Sequence, residues 1–291
     1  MIFPFTSRKK QGGAGGRGLF GGGYSTSNVI DYVTIASTGN ATDFGDLTVA
    51  RYYLVGCSSA TRGLFGGGSY NNVIDYVTIA SAGNATDFGD LTEARGRLAG
   101  CSSATRGLFG GGSGVGDRFT IDYVTIASTG NATDFGDLTV ARYYLVGCSS
   151  ATRGLFGGGW TNTDSNVIDY VTIASTGNAT DFGDLTLARY GLAACSSATR
   201  GLFGGGAVYD TIDYVTIAST GNATDFGDLT LARYGLAACS SATRGLFGGK
   251  YTSNNIIDYV TIASTGNATD FGDLTVARGF LAGCSDAHGG L

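Results

Sequence analysis

The sequence predicts an all-β protein with the architecture of a six-bladed β-propeller. A unit of 44–47 residues occurs six times within the 291 residues, and fixed periods of this length are typical of propellers and solenoids. No stretch of 10–12 residues has the apolar period of an amphipathic helix, so we expect almost no helix. The most apolar strand is apolar on both faces, which indicates a sheet covered on both sides. A stack of four-stranded sheets around an axis accounts for these observations.

Each unit contains four predicted strands, described here for the second unit. The first strand, 51–58, is small and apolar, and the second, 63–65, is short and ends in glycines. The third, 73–80, is rich in β-branched residues, and the fourth, 86–91, carries one aromatic residue. Clusters of Gly, Asn and Ser separate the strands, as turns require. The predicted core consists of the six equivalents of Leu64, Phe65, Tyr76, Ile79 and Phe88.

The order of the strands predicts how the ring closes. The repeats begin at a second strand, 18–20, and end with a lone first strand, 278–285. Residues 18–48 and 278–286 are therefore expected to form one composite blade, which removes open sheet edges from the ring. We predict a six-bladed propeller over 17–291, preceded by an N-terminal arm over 1–16.

Three polar or reactive residue types recur once per unit. A Cys followed by Ser occurs in every unit, and this regular spacing favours a buried core residue over a disulfide or a metal ligand. Arg51 and its equivalents are expected around the channel mouth, where they either hold an anion or pair with a repeated Asp such as Asp31 or Asp46. The repeated Asn, first at Asn40, is predicted to take the left-handed conformation of a tight turn.

Composition excludes several functions. The formal net charge is −5 and the sequence pI is about 4.7, which argues against nucleic-acid binding because phosphate contacts need clustered Lys and Arg. No apolar run approaches the length of a membrane span, so no membrane insertion is expected. The chain has one His, His288, in a Gly-rich tail without evident partners, and one Glu. We therefore expect no enzymatic activity, no catalytic residues, no cofactor and no metal site.

The two faces of the predicted disc differ in sequence. Because neighbouring strands are antiparallel, the turns 1–2 and 3–4 lie on one face, which we call the invariant face; these turns are identical apart from Ala82. The loops 2–3 and the connections 4–1 lie on the other, which we call the variable face because they differ between units. Variable loops on a shared scaffold are typical of recognition, although drift in unconstrained loops remains the alternative. The candidate binding residues are Tyr24, Tyr52, Tyr70, Arg97, Arg118, Phe119, Tyr143, Trp160, Tyr190, Tyr209 and Tyr251.

Two resemblances add expectations about function. The string Leu-Phe-Gly-Gly-Gly, followed by a Tyr-bearing strand, an aromatic strand and an Arg-led strand, resembles the kelch repeat, which forms β-propellers. The sequence of the unit, GNATDFGDLTVAR followed by CSSATRGLFGGG, resembles the repeats of proteins from marine and cyanobacterial bacteriophages. The second resemblance implies a non-enzymatic virion protein, in a tail fibre or attached to the capsid, that is assembled in the host cytoplasm.

The implied partners follow from that resemblance. The arm over 1–16 would hold other virion proteins, and the variable face would bind a host-surface glycan or protein, or a neighbouring subunit. The alternative is a cellular kelch-type lectin or protein-interaction module.

Overall fold

The computed structural model describes residues 16–25, 27–114, 119–252 and 254–291. These ranges contain strands and no helix, and six sheets of four antiparallel strands form a six-bladed β-propeller. The predicted fold class is confirmed. None of the residues described belongs to a helix that would cross a membrane. The predicted arm lies outside the described residues except for Gly16.

We number the blades in chain order and the strands of each blade from the axis outward. The inner strands of neighbouring blades pack against one another around the axis. A separate two-stranded ribbon joins Arg95–Gly96 to Ser113–Gly114. The strands are, in blade 1, Ala282–Ser285, Arg17–Gly21, Val29–Thr34 and Thr42–Asp46; in blade 2, Val55–Ser58, Arg62–Gly66, Val73–Thr78 and Thr86–Asp90; in blade 3, Ala99–Ser102, Arg106–Gly110, Thr120–Thr125 and Thr133–Asp137; in blade 4, Val146–Ser149, Arg153–Gly157, Val167–Thr172 and Thr180–Asp184; in blade 5, Ala193–Ser196, Arg200–Gly204, Thr211–Thr216 and Thr224–Asp228; and in blade 6, Ala237–Ser240, Arg244–Lys250, Asn254–Thr261 and Thr269–Asp273.

Blade 1 is the composite blade that the strand order predicts. Arg17–Gly21 pairs on one side with Val29–Thr34 and on the other with the C-terminal strand Ala282–Ser285, in which Cys284 stands opposite Leu19. The first strand of a blade is shorter than predicted. In blade 2 it begins at Val55 rather than at residue 51, because the preceding Tyr53 has a left-handed backbone (φ 62°) that interrupts an extended strand.

The core lies between the blades, as the two apolar faces of the third strand predict. Leu64 of blade 2 and Phe109 of blade 3 belong to one buried cluster, and five similar clusters fill the other blade interfaces. Cys57 joins the same cluster, and a Cβ on Gly107 of the next blade would lie 2.6 Å from its Sγ, so only glycine fits there. All six cysteines are free and buried, and burial raises the pKa of the Cys57 thiol. They are core residues, as predicted.

Tyr76 is the one predicted core position that is only half buried. Its ring packs edge-on against Phe88, at 6.0 Å between centroids, and is covered on the other side by the guanidinium of Arg62 at 4.7 Å. Arg62 also donates a hydrogen bond to the carbonyl of Ile126 in the next blade, at 3.0 Å. The first Arg of each Arg-Gly-Leu-Phe string therefore connects two blades while it shields a tyrosine.

A closed ring of six serines surrounds the axis near the invariant face. The hydroxyl of Ser102 donates to the carbonyl of Ser58 at 2.9 Å and accepts the backbone N–H of Ser58 at 3.1 Å. The same pair of bonds recurs at every blade interface, including that between blade 1 and blade 2, where Ser58 donates to Ser285. The ring explains why each cysteine is followed by serine. Its members are Ser58, Ser102, Ser149, Ser196, Ser240 and Ser285.

The outer edge of each blade is covered by the 3–4 turn of the next blade. The N–H groups of Gly83 and Ala85 donate to the carbonyls of Phe44 and Asp46, both at 2.7 Å. The side chain of Asn84 accepts the N–H of Asp46 at 3.1 Å. The prediction of a left-handed Asn is wrong, because none of the six repeated Asn residues has a positive φ. Its side chain instead accepts this hydrogen bond from the neighbouring blade. The Gly-Asn-Ala turn is therefore invariant for a structural reason.

Each repeated Arg of the 4–1 connection is buried in an ion pair. Arg51 lies 3.0 Å from Asp75 and also donates to the carbonyl of Phe65 at 2.9 Å, and both charged side chains are fully buried. Burial lowers the pKa of Arg51, and the charge of Asp75 opposes that shift. The pairing alternative is confirmed with Asp31 and its equivalents rather than with Asp46, so these arginines are not a free anion-binding ring. The other pairs are Arg95–Asp122, Arg142–Asp169, Arg189–Asp213, Arg233–Asp258 and Arg278–Asp31.

The C-terminal tail closes the channel on the invariant face, so the expectation that His288 has no partners is wrong. Its Nε2 donates to the carbonyl of Ser58 at 3.1 Å, and its Nδ1 accepts the N–H of Gly290 at 3.0 Å. The N–H of Gly289 donates to the carbonyl of Ser196 across the axis, at 3.0 Å. Because Nδ1 accepts a hydrogen bond, this geometry requires the neutral imidazole. Burial lowers the pKa of His288 to about 4.

We expect acid to release the tail. The folded-state pKa of His288 lies below its ordinary value of 6.5, so its contribution to tail docking is complete above pH 6.5 and is lost as the pH falls toward 4. Protection factors of the amides of residues 287–291 should therefore fall between pH 7 and pH 4.5. The His288→Gln variant should show no such fall, and equal protection of the wild-type tail at both pH values would contradict the assignment.

Candidate functional site: an aromatic basin on the variable face

Backbone hydrogen bonds bring the two variable segments of each blade together. The residue after the glycine run donates its N–H to the carbonyl of the residue after the buried Arg, as Trp160 does to Tyr143 at 2.7 Å and Tyr251 to Tyr234 at 2.9 Å. Corresponding bonds join Tyr24 to Gly279, Ser69 to Tyr52 and Ala207 to Tyr190. Side chains that are far apart in sequence therefore meet on one face of the disc.

A ring of six left-handed residues surrounds the channel mouth on the variable face. Each occupies the second position after the buried Arg, and its N–H donates to the carbonyl of the equivalent residue in the preceding connection. Arg97, for example, donates to Tyr53 and accepts from Tyr144, both at 2.8 Å. The ring members are Tyr53 (φ 62°), Arg97 (φ 60°), Tyr144 (φ 58°), Gly191 (φ 66°), Gly235 (φ 69°) and Phe280 (φ 53°).

Four of these six residues occupy a conformation that disfavours them. A left-handed backbone costs roughly 1–2 kcal/mol for a residue with a Cβ, and Gly191 and Gly235 show that glycine fits at the equivalent positions. The four larger side chains pack on one another over the axis. The ring of Tyr53 lies 4.4 Å from that of Phe280 and 5.4 Å from that of Tyr144. The backbone strain thus positions a set of side chains that glycine would not supply.

Further aromatic rings extend this group into a concave surface, the aromatic basin. Trp160 packs on Tyr190 at 5.3 Å, and Tyr234 packs on Tyr251 at 5.2 Å. The basin encloses about 330 Å³, a volume at the lower end of small-ligand sites. Its lining residues are Tyr53, Tyr143, Tyr144, Trp160, Tyr190, Tyr234, Tyr251 and Phe280.

Arg97 supplies a cation at the side of the basin. Its guanidinium stacks over the rings of Tyr53 and Tyr144, at 4.5 and 4.9 Å from their centroids. It donates to the hydroxyls of Ser113 at 3.2 Å and Tyr70 at 3.4 Å. Among the described residues no carboxylate lies within ion-pair distance of it, whereas all six repeated arginines of the 4–1 connections have one.

The hydroxyl groups of Tyr144 and Tyr234 stay protonated at neutral pH. Tyr144 donates a hydrogen bond to the hydroxyl of Tyr53 at 3.0 Å. Burial raises the pKa of Tyr144, and this hydrogen bond raises it further. Burial also raises the pKa of Tyr234. Among the described residues, the basin group therefore offers apolar ring faces, Tyr hydroxyls and the guanidinium of Arg97.

A narrow axial chamber lies below the basin. Its wall consists mainly of Gly, Ala, Val and Leu residues, including Leu54 and Val146. Its upper boundary includes Tyr53, Phe280 and Arg97, so Arg97 lies where the basin meets the chamber. The chamber continues past Gly56 and its equivalents to the serine ring, where His288 lines the far end. The tail therefore closes the channel at the end opposite the basin.

The structure unites most of the candidate residues. Arg97 contacts Tyr70 and Tyr143 as well as its nearer neighbours, and Tyr24 joins the group through Tyr52 and Tyr251. Within the described ranges no ring contact links Tyr209 or Phe119 to this group, and Arg118 lies outside the described residues. The candidates that come together are Tyr24, Tyr52, Tyr70, Arg97, Tyr143, Trp160, Tyr190 and Tyr251.

Four central residues of the basin are absent from the predicted set: Tyr53, Tyr144, Tyr234 and Phe280. The signal that identifies three of them is internal. Two of the six units have glycine at the second position after the buried Arg, and the other units have Tyr53, Arg97, Tyr144 and Phe280 there. A position shared by glycine and large residues indicates a left-handed backbone that carries a selected side chain.

Comparisons with known proteins do not assign the chain to a family. No protein-family model matches the chain, and no curated protein is significantly similar to it. Groups of three or more potential metal ligands do not occur within the part of the chain that the structure describes.

Proposed function

We propose that this protein is a non-enzymatic binding component of a bacteriophage virion, in a tail fibre or attached to the capsid, and that the aromatic basin contacts the host surface or a neighbouring subunit. The observation that supports a binding role is the left-handed ring. Tyr53, Arg97, Tyr144 and Phe280 stand where glycine is tolerated in the same chain, and drift alone gives no reason for four strained side chains to converge on one group.

The structural role of the invariant face supports the same proposal. The turns of the invariant face hold the blades together, because the Gly-Asn-Ala turn covers the neighbouring edge and the serine ring joins the inner strands. Gly16, to which the predicted arm is attached, lies beside Asp286 and Ala287 on this face. Attachment through residues 1–16 to other virion proteins would leave the basin facing outward.

The virion assignment rests on the resemblance of the repeated unit to bacteriophage repeat proteins. A cellular kelch-type lectin or protein-interaction module would use the same basin. Peptide mass spectrometry of purified particles from the virus that encodes the chain distinguishes the two. Peptides in stoichiometric amount support the virion assignment, and their absence from particles, with peptides in uninfected cells, supports the cellular alternative.

Replacement of three basin aromatics is expected to abolish surface binding. The triple variant Trp160→Ala, Tyr190→Ala and Tyr251→Ala removes three of the aromatic rings that line the basin. Buried Trp and Tyr side chains carry 2 kcal/mol or more at binding hot spots, so adsorption to host cells should weaken by more than about thirtyfold.

The matched control lies on the invariant face. The triple variant Thr129→Ala, Thr176→Ala and Thr220→Ala makes the substitution that the chain already carries at Ala82. It should adsorb like the wild type. Equal adsorption of the basin variant and the wild type, with both folded, would refute a binding role of the basin.

A further inference from the structure

We propose that the ligand of the aromatic basin is an acidic sugar, in which the sugar ring stacks on the basin aromatics and a carboxylate pairs with Arg97. This inference rests on the proposed binding function and specifies the chemical class of the ligand. It is carried by the placement of the Arg97 guanidinium, which has no carboxylate partner among the described residues, within a group of aromatic rings and hydroxyls.

The environment of Arg97 is unlike that of the other arginines that the structure describes. The arginines of the 4–1 connections each pair with a buried Asp, and those that begin the Arg-Gly-Leu-Phe strings donate to carbonyls of the next blade. Arg97 has neither kind of partner among the described residues. Its Nη1 donates to the hydroxyls of Ser113 and Tyr70, and hydrogen bonds to Tyr53 and Tyr144 add further hydroxyl partners rather than a carboxylate. A guanidinium in this environment can bind an external anion, because its planar set of N–H donors forms two parallel hydrogen bonds with a carboxylate.

The surroundings of Arg97 favour a sugar over an acidic peptide. The rings of Tyr53 and Tyr144 both contact the guanidinium, which limits its movement before a ligand binds. The basin beside it combines flat aromatic faces with Tyr hydroxyls and is about the size of a small-ligand site. Aromatic faces stack on the C–H groups of a sugar, and hydroxyls exchange hydrogen bonds with it.

Lys250 places a second cation near this surface. It directly precedes Tyr251 of the basin and replaces the third glycine of the run in the other units. Its N–H donates to the carbonyl of Arg278, at 3.1 Å, which fixes the backbone of this loop against the 4–1 connection. An acidic oligosaccharide longer than one residue would therefore find a further cation on the same face.

The test uses trigalacturonic acid and its fully methyl-esterified form, which have the same rings but differ in charge, and calorimetry with the full chain. Glucuronic acid and sialic acid oligosaccharides extend the acid set, a sulfated oligosaccharide tests another anion, and a poly-glutamate peptide tests an acidic chain without sugar rings. We expect at least one carboxylate sugar to bind about tenfold or more tightly than its ester, with an affinity that falls as salt rises.

Three variants assign the effect to Arg97. Arg97→Gly introduces the residue that stands at the equivalent positions 191 and 235, so it should fold with an unchanged or higher Tm and lose the preference for the acid over the ester. Arg97→Gln should lose the same preference. Arg62→Gln removes an arginine that stacks on a tyrosine in the same way but on the invariant face, and it should retain the preference.

Each outcome decides between the two proposals. Equal binding of acid and ester that is lost in the Trp160, Tyr190 and Tyr251 variant overturns the acidic-sugar proposal and leaves the basin as a neutral-sugar site. Acid preference that survives in Arg97→Gly, or tighter binding of the sulfated sugar or of poly-glutamate, also overturns it. Failure of every sugar to bind overturns it as well. The proposed function fails only if the basin triple variant adsorbs to host cells as well as the wild type does.

Discussion

Deletion of residues 278–291 is expected to abolish the folded monomer. The deletion removes the inner strand Ala282–Ser285, which pairs with Arg17–Gly21 in blade 1. It also removes Ser285 from the serine ring and Arg278 from its buried pair with Asp31. The truncated blade would expose the edge of an apolar strand and leave Asp31 buried without its counter-ion, and both changes favour aggregation over a stable open ring.

A shorter deletion provides the control. Removal of residues 287–291 eliminates the tail that closes the channel but keeps the inner strand and Asp286, which accepts the N–H of Arg17 at 2.8 Å. This variant should stay monomeric in light scattering coupled to size exclusion and melt cooperatively, whereas the longer deletion should elute as aggregate. A monomeric 278–291 deletion with the wild-type Tm would show that closure by the C-terminal strand is not required.

Asp75→Ala is expected to destabilise the protein by about 3–5 kcal/mol, the range for removing one partner of a buried ion pair. Asp75 accepts hydrogen bonds from the N–H and hydroxyl of Thr48, at 3.2 and 2.5 Å, in addition to its pair with Arg51. It therefore joins the outgoing chain of blade 1 to blade 2. The substitution leaves the guanidinium of Arg51 fully buried without a counter-charge. Chemical denaturation measures the change in the free energy of unfolding.

Asp87→Ala is the matched control for this prediction. Asp87 stands directly opposite Asp75 in the neighbouring strand, but its side chain is exposed. Surface substitutions of this kind usually change stability by less than about 0.5 kcal/mol. A loss of similar size in both variants would mean that the buried pair does not dominate the stability of the blade interface.

The fold could be predicted from the sequence because its period is visible six times. In every unit the equivalents of Leu64, Phe65 and Phe88 lie at a blade interface. The repeats begin with a second strand and end with a first strand, and this order specifies the composite blade. The pairing of Arg278 with Asp31 was one of two alternatives, and spacing alone did not choose between Asp31 and Asp46. That choice depends on depth, since Asp31 is fully buried and Asp46 is not.

Other features depend on contacts between repeats and have no signature within one repeat. The hydroxyl of Ser102 and the side chain of Asn84 bond to the preceding blade, so their role is visible only when two units are placed side by side. The basin was predicted in part, because variable aromatic residues indicate a surface but not its centre. Its centre is set by the left-handed backbone at Tyr53 and its equivalents. Only a comparison between repeats, two of which have glycine at that position, indicates this backbone.

An amide-exchange footprint of the protein bound to isolated host-surface material shows whether the two faces have separate roles. We expect ligand-dependent protection at residues 52–53, 97, 143–144, 160, 190 and 251, which contribute to the basin group. The 3–4 turns, such as 81–85, should show the same exchange with and without ligand. Protection confined to those turns, or spread equally over both faces, would contradict the account.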